Sequence, residues 1–433
     1  MNTHNKNLKV KTLLLAMGLC STTMLQAKDV NPEIAQLRNE INELRQLLNQ
    51  QTQQQQQQAV QLQNYQAEKV QLANKDDAVQ RNGLTLTKGG AEMSFYGNVR
   101  ADLQYQIEGG PASRIYNQIN AVALDGVSEN SDNLKSTLAA TRLGFDFKTP
   151  TAAGDVGGKV EVDFLGGSSL DTLRIRHAYL TYGNWLVGQT WSNFAPPDFM
   201  PESIDALGFV GGAVKRTPQV RYTQKLNADT NFVYALEDSK DASSDTRLPA
   251  FTARANHKFA DNFALSARGM VTEKRTKADE ETAWGVGVGV KYDITPKTSL
   301  KADYYHVNGD SSFVSWTNQG FVTDANNQIL ETNEFDSITV GVTQQFNEKL
   351  RGTLGYGYMK ADENDLYVNA LADKTKANKD LWQAWANVFY SPVKPLSFGV
   401  EYVFGEREAF GAAPNGSKTG EDNRVNAVAI YNF

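Results

Sequence analysis

The chain has 433 residues, 43 Lys and Arg against 49 Asp and Glu, and a formal net charge of −6. Mean hydropathy is −0.47, and no run of roughly 20 apolar residues occurs, which excludes a helical membrane span. One cysteine rules out a disulfide framework and a thiolate zinc cluster. The four histidines (His4, His177, His257 and His306) show no H-x-x-x-H spacing, so neither a metal nor another cofactor is expected. A pI near 5.5 gives no reason to expect nucleic acid.

At the amino terminus, Lys6, Lys9 and Lys11 precede an apolar run from Leu13 to Leu19 and then Leu25-Gln26-Ala27. This order predicts a secretory signal over 1–27, cleaved after Ala27. Leu19 is too bulky for the position before a lipidated cysteine, so Cys20 is expected to leave with the signal. Residues 28–90 read as a periplasmic coiled coil with a linker. Positions 33–80 lack Gly and Pro, and Ile34, Leu37, Ile41, Leu44 and Leu48 occupy a and d heptad positions. The same phase reaches Leu62, Tyr65, Leu72 and Val79 beyond the glutamine tract 53–58, which predicts one helix in a left-handed coiled coil. The competing reading is a disordered Gln-rich linker. Ile at a with Leu at d favours dimers. Asn82-Gly83 ends the helix, and Lys88-Gly89-Gly90 reads as the linker.

From Ala91 the period changes to two. Met93, Phe95, Val99, Leu103 and Tyr105 share one parity, and Ser94, Asn98, Arg100, Asp102 and Gln104 the other. Similarly, Trp284, Val286, Val288, Val290 and Tyr292 alternate with Gly285, Gly287, Gly289 and Lys291. Short turns at 149–155, 182–184, 226–229, 260–262, 293–297, 346–349 and 391–395 alternate with longer connections at 108–136, 165–171, 191–214, 238–248, 273–281, 308–334, 361–379 and 406–421. Seven turns and eight loops join sixteen strands, so 91–433 is predicted to be a 16-stranded antiparallel transmembrane β-barrel of the bacterial outer membrane. A barrel of that size leaves a water-filled channel. Tyrosines such as Tyr96, Tyr105, Tyr179, Tyr182, Tyr292 and Tyr402 fall near predicted strand ends, where amphipathic rings meet lipid headgroups. Phe433 ends the last strand on its outward face.

The third long connection, 191–214, is rich in aromatic and apolar residues, a costly composition for an exposed loop. It is expected to fold into the lumen and narrow the pore. Its Gly188-Gln189-Thr190-Trp191-Ser192 start, its Asp198, Pro201-Glu202 and Asp205, and the Pro218-Gln219-Val220-Arg221-Tyr222 strand that follows resemble the DcaP-like trimeric porins. So does the order of signal, coiled coil and barrel. The resemblance implies a homotrimer in outer-membrane lipid that passes small organic anions, dicarboxylates included. Asn193-Phe194-Ala195 is less polar than that likeness leads one to expect.

Charge points the same way. By strand parity the inward cations are Arg100, Arg142, Lys148, Lys159, Arg221, Arg254, Lys258, Arg268, Lys291, Lys301, Arg351 and Arg424; the inward anions are Asp102, Asp146, Glu161, Asp163, Glu237, Asp303 and Glu401. The excess of cations inside an acidic chain suggests anion selection; the plainer alternative is a wall that merely solvates a polar lumen. The candidate pore-lining residues are Arg100, Arg142, Arg221, Arg254 and Arg268, with Arg174, Arg176, Lys215 and Arg216 beside the third loop. Arg176 shares phase with Ala178 and Leu180, which leaves the parity of that group ambiguous. No G-x-S-x-G elbow is present and the histidines lack obvious partners, so an enzyme is not expected. A phosphate-selective or general porin, or a structural tether that contacts the cell wall through the coiled coil, are the competing functions.

Overall fold

The computed structural model describes residues 84–433 apart from 111–114, 128–129, 168–170 and 214. The signal and the heptad segment lie outside the described residues. The barrel strands are β1 (Ala91–Glu108), β2 (in two pieces, Asn133–Thr137 and Arg142–Thr149), β3 (Val156–Gly166), β4 (Thr172–Tyr182), β5 (Trp185–Trp191), β6 (Arg216–Lys225), β7 (Thr230–Glu237) and β8 (Ala250–Ala260). They continue as β9 (Phe263–Arg275), β10 (Glu280–Thr295), β11 (Thr298–Asn308), β12 (Glu334–Asn347), β13 (Leu350–Ala361), β14 (Asn378–Val393), β15 (Leu396–Ala409) and β16 (Thr419–Asn432). Each pairs antiparallel with its neighbour in sequence, and β1 pairs with β16 from Asn98↔Asn432 to Glu108↔Asn423. The sheet thereby closes on itself, as the sixteen-strand reading expects, and leaves no free edge. Both pieces of β2 pair with β1.

Alternation decides which face meets what. Val286 and Val288 are exposed on the outer face of β10, while Gly285, Gly287 and Gly289 face the lumen. Leu103, Val160, Val187, Val220, Leu236, Ile338, Val388 and Val400 are likewise exposed, an apolar belt that a protein in water would not sustain. Phe433 closes the seam: its backbone exchanges two 3.0 Å hydrogen bonds with Gly97, and its ring lies 5.4 Å from that of Phe95.

Two local readings change. Lys88-Gly89-Gly90 is a hairpin turn rather than a plain linker. Thr85–Lys88 pairs back on Ala91–Ser94, and Gly89 and Gly90 take φ of +60° and +83°, which only glycine adopts readily. Tyr96 is no part of the headgroup girdle. It faces the lumen, where its hydroxyl donates to Glu161 at 2.9 Å.

The upper lumen is not open water. Ile119 and Val122 from the first long connection, Phe194, Ala195, Val210 and Ala213 from the third, and Phe313 and Val314 from the sixth pack with Tyr305, Val307, Phe335 and Leu381 of the wall in one buried cluster. Several outer loops therefore share an apolar core inside the barrel.

Candidate functional site: a lumen narrowed by an inserted loop

After β5 the chain leaves the wall, and residues 192–213 run inside the barrel. The physical driver is burial of the apolar loop residues Phe194, Ala195, Phe199, Ile204, Phe209 and Val210. The wall glycines make room. A Cβ on Gly341 would stand 2.5 Å from Cβ of Pro201, and one on Gly399 would stand 2.8 Å from Cδ1 of Ile204. At Gly289 it would collide with the Phe199 ring. The inward glycines of β10, β12 and β15 thus form a groove that seats the loop.

Polar groups fix the loop's register. Asn193 donates its backbone N–H to Glu237 at 2.8 Å and its side-chain amide to the Val233 carbonyl and the Thr252 hydroxyl. Phe194 packs edge-on against Tyr305 and Phe313, at 5.4 and 5.8 Å. The segment Asn193-Phe194-Ala195, unexpectedly apolar by its sequence, is therefore a packing element. Glu401 accepts the backbone N–H groups of Ile204 and Asp205, and the Glu202 carbonyl accepts from Trp385 and Asn387. Phe209 stacks on Trp385 at 4.3 Å.

Ion pairs complete the seat. Asp198 meets Arg254 at 2.5 Å, Glu202 meets Arg351 at 2.7 Å and Asp205 meets Arg424 at 3.3 Å. Arg100 is held by Asp102 at 2.6 Å and donates to the Ile204 carbonyl. Several wall arginines thus have loop partners, and the parity count of charges had left out the three carboxylates that the loop carries inward. Arg268 goes further. Its side chain is 0% exposed, paired with Asp303 and donating to the Tyr305 hydroxyl at 2.6 Å, so it offers no surface to a passing solute. That corrects its place among the pore-lining candidates: a buried guanidinium needs its carboxylate, and the pair serves packing.

Among the described residues the loop makes no hydrogen bond or ion pair to β3 or β4, and here the wall is basic. A bulge decides its facing. Glu161 pairs with His177 and Val162 with Ile175, so Arg176 is the extra residue. Leu173 and Ile175 are exposed outward above the bulge and Leu180 below it, although their parities differ. Arg174 and Arg176 both turn inward. Arg174 binds Asp163 at 2.6 Å; Arg176 binds Glu161 at 2.6 Å and Asp163 at 3.0 Å. Arg216 lies over the Trp191 ring at 4.4 Å, amid the charges of Arg176, Arg174, Asp163 and Arg142. Neither Arg142 nor Arg216 has a hydrogen-bonded carboxylate among the described residues, and Nε of Arg142 is buried without a partner. Arg221 likewise lacks one, donating to Gln219 at 2.8 Å and to the Trp191 carbonyl.

Lys215 sits at the end of the loop. It lines a cavity of about 330 Å³ with Asn120, Leu207 and residues 311–317, and burial lowers the pKa of its ammonium. The inward folding of the first and sixth connections was not anticipated. Its signal was present in Ile119, Val122 and Leu124, and in Phe313, Val314 and Trp316, the same apolar excess that marks the third loop. No group of His, Cys, Asp and Glu able to hold a metal occurs among the described residues.

A family model for the DcaP outer membrane protein matches residues 20–433. The structure is similar to the outer membrane channel DcaP of Acinetobacter baumannii, with 40% identity and a TM-score of 0.73 over 81% of this chain and 99% of that one. It is similar in fold to OmpT of Vibrio cholerae in a trimer form, with 16% identity and a TM-score of 0.51 over 79% of this chain and all of that one. An anion-selective porin from Comamonas acidovorans shares 10% identity, with a TM-score of 0.50 over 79% of this chain and all of that one. No curated protein matches the chain.

Proposed function

The chain belongs to the DcaP outer membrane protein family, and from that premise we propose a homotrimeric channel through which small organic anions, dicarboxylates above neutral sugars, diffuse past an arginine wall. The observation that carries this reading is the pair Arg142 and Arg216. Among the described residues both lack a hydrogen-bonded carboxylate, and both feel the charge of Arg176, with Arg174 also beside Arg216. A guanidinium keeps its charge and pairs bidentately with a carboxylate, so two separated guanidiniums suit a solute with two carboxylates. Contacts of this kind must stay weak and multiple for the solute to leave again. Salt should weaken the preference, with screening over roughly 8 Å at physiological ionic strength.

The trimer is supported by the height of the wall. β5 has 7 residues and β7 has 8, against 16 in β10 and β14. At about 3.3 Å per residue, 7 residues reach roughly 23 Å along a tilted strand, short of the roughly 25 Å apolar band. Neighbouring copies would cover this low, apolar side. Residues 1–27 would direct export, and a coiled coil within 28–83 would hang in the periplasm, within reach of the cell wall. The test is the reversal potential in a salt gradient across a planar bilayer, first with chloride, then succinate, then phosphate. Preference for chloride over potassium, with succinate permeant, supports the reading; preference for potassium overturns it.

A further inference from the structure

The three loop carboxylates are held to different depths. The Asp205 side chain is 0% exposed, Glu202 is 31% exposed, and Asp198 is 51% exposed. Their grips differ too. Arg351 grips Glu202 through Nε and Nη2, whereas the carboxylate of Asp198 accepts one hydrogen bond among the described residues, from Nη2 of Arg254. Arg254 does not depend on that contact for its position. Its Nε donates to Asn256 at 2.6 Å and to Ser266 at 3.2 Å, and its guanidinium lies 5.8 Å from the Phe199 ring. If Asp198 swung away, Arg254 would stay in place with a vacant face.

More positive charge surrounds Asp198 than it can neutralise. Its charge also acts on Arg221 and Lys301, and neither has an ion-pair partner among the described residues. The side chain alone has to move, because Pro196 and Pro197 fix the backbone leading into the tight turn Pro197–Phe199. We propose that Asp198 is an internal counter-anion which a permeating carboxylate displaces from Arg254, so that Arg254, Arg221 and Lys301 form a second anion station in the lumen. The inference rests on the anion-channel reading above. Exchange of one carboxylate for another conserves charge at Arg254 and leaves the displaced Asp198 in water it already half occupies. Asp198 then competes for return, which keeps the solute's stay short, as conduction requires.

Single-channel recording with succinate tests this. Asp198→Asn should lengthen succinate residence about tenfold, the order expected for freeing one charge-assisted contact. The same substitution in an Arg254→Gln background should give no lengthening, because no arginine face is released. Asp155→Asn, the same charge change at the short-turn rim beside Lys148, should not lengthen residence either. An unchanged residence time in Asp198→Asn would overturn the proposal. So would equal lengthening in both backgrounds, or lengthening by Asp155→Asn, since either marks a general field effect. A wild-type pore without chloride preference would sink the channel reading itself; a chloride-selective pore with a silent Asp198→Asn would sink the displacement mechanism alone.

Discussion

Arginine occurs in two settings in this lumen, and partner count separates them. Arg268 shows the structural use. With Asp303 and Tyr305 it forms a buried unit, so Arg268→Met should leave an uncompensated carboxylate and cost about 3–5 kcal/mol. Thermal unfolding of the purified protein would show this as a lower transition temperature. Arg142 and Arg216 show the other setting, guanidinium groups without a hydrogen-bonded carboxylate among the described residues. Replacing both with Glu should move the reversal potential towards cations and reduce succinate flux about tenfold or more, a loss of at least roughly 1.4 kcal/mol of attraction. Unchanged selectivity would remove the arginine wall from the mechanism. Arg221→Glu combined with Arg254→Glu should also cut uptake. Its second change would repel Asp198 as well as the solute, so the Arg142 and Arg216 pair is the cleaner probe.

At the scale of elements, the inserted loop and its glycine groove act as one unit. Wall positions without a Cβ let the Phe199 ring and Pro201 approach the strand backbone. Gly289→Val should expel the loop near Phe199 without disturbing the outer face of β10, where Val288 and Val290 already lie. The expected result is a rise in single-channel conductance of about twofold or more with weaker selectivity, because pore width and lining charges together set the barrier. Conductance at the wild-type level with full selectivity would mean that the loop does not narrow the pore.

At the scale of the whole molecule, the low wall at β5–β7 and the tall wall at β9–β16 make the barrel asymmetric. The predicted assembly has three copies in detergent, measurable by light scattering with correction for bound detergent. A mass of one or two chains would contradict it. Deleting 28–83 should leave the trimer intact, because the barrel walls and not the heptad segment would carry the interface. The deletion keeps the Thr85–Lys88 hairpin strand, which belongs to the barrel unit.

Sixteen strands, seven turns and eight loops were legible in the sequence because a period of two and turn residues are local signals, and lipid on one face with water on the other repeats them around the barrel. The inward course of 192–213 was legible too, from an apolar excess that an exposed loop would not sustain. Facing at Arg176 was not, because one extra residue in a strand flips every side chain beyond it, and the bulge is defined only by pairing with β3. Nor could sequence tell free arginines from paired ones. Arg254, Arg351 and Arg424 share a parity rule with Arg142, yet their partners Asp198, Glu202 and Asp205 come from a loop far away in the chain. Charge pairing across the lumen depends on which groups the closed barrel brings within a few ångströms, and only the tertiary structure decides that.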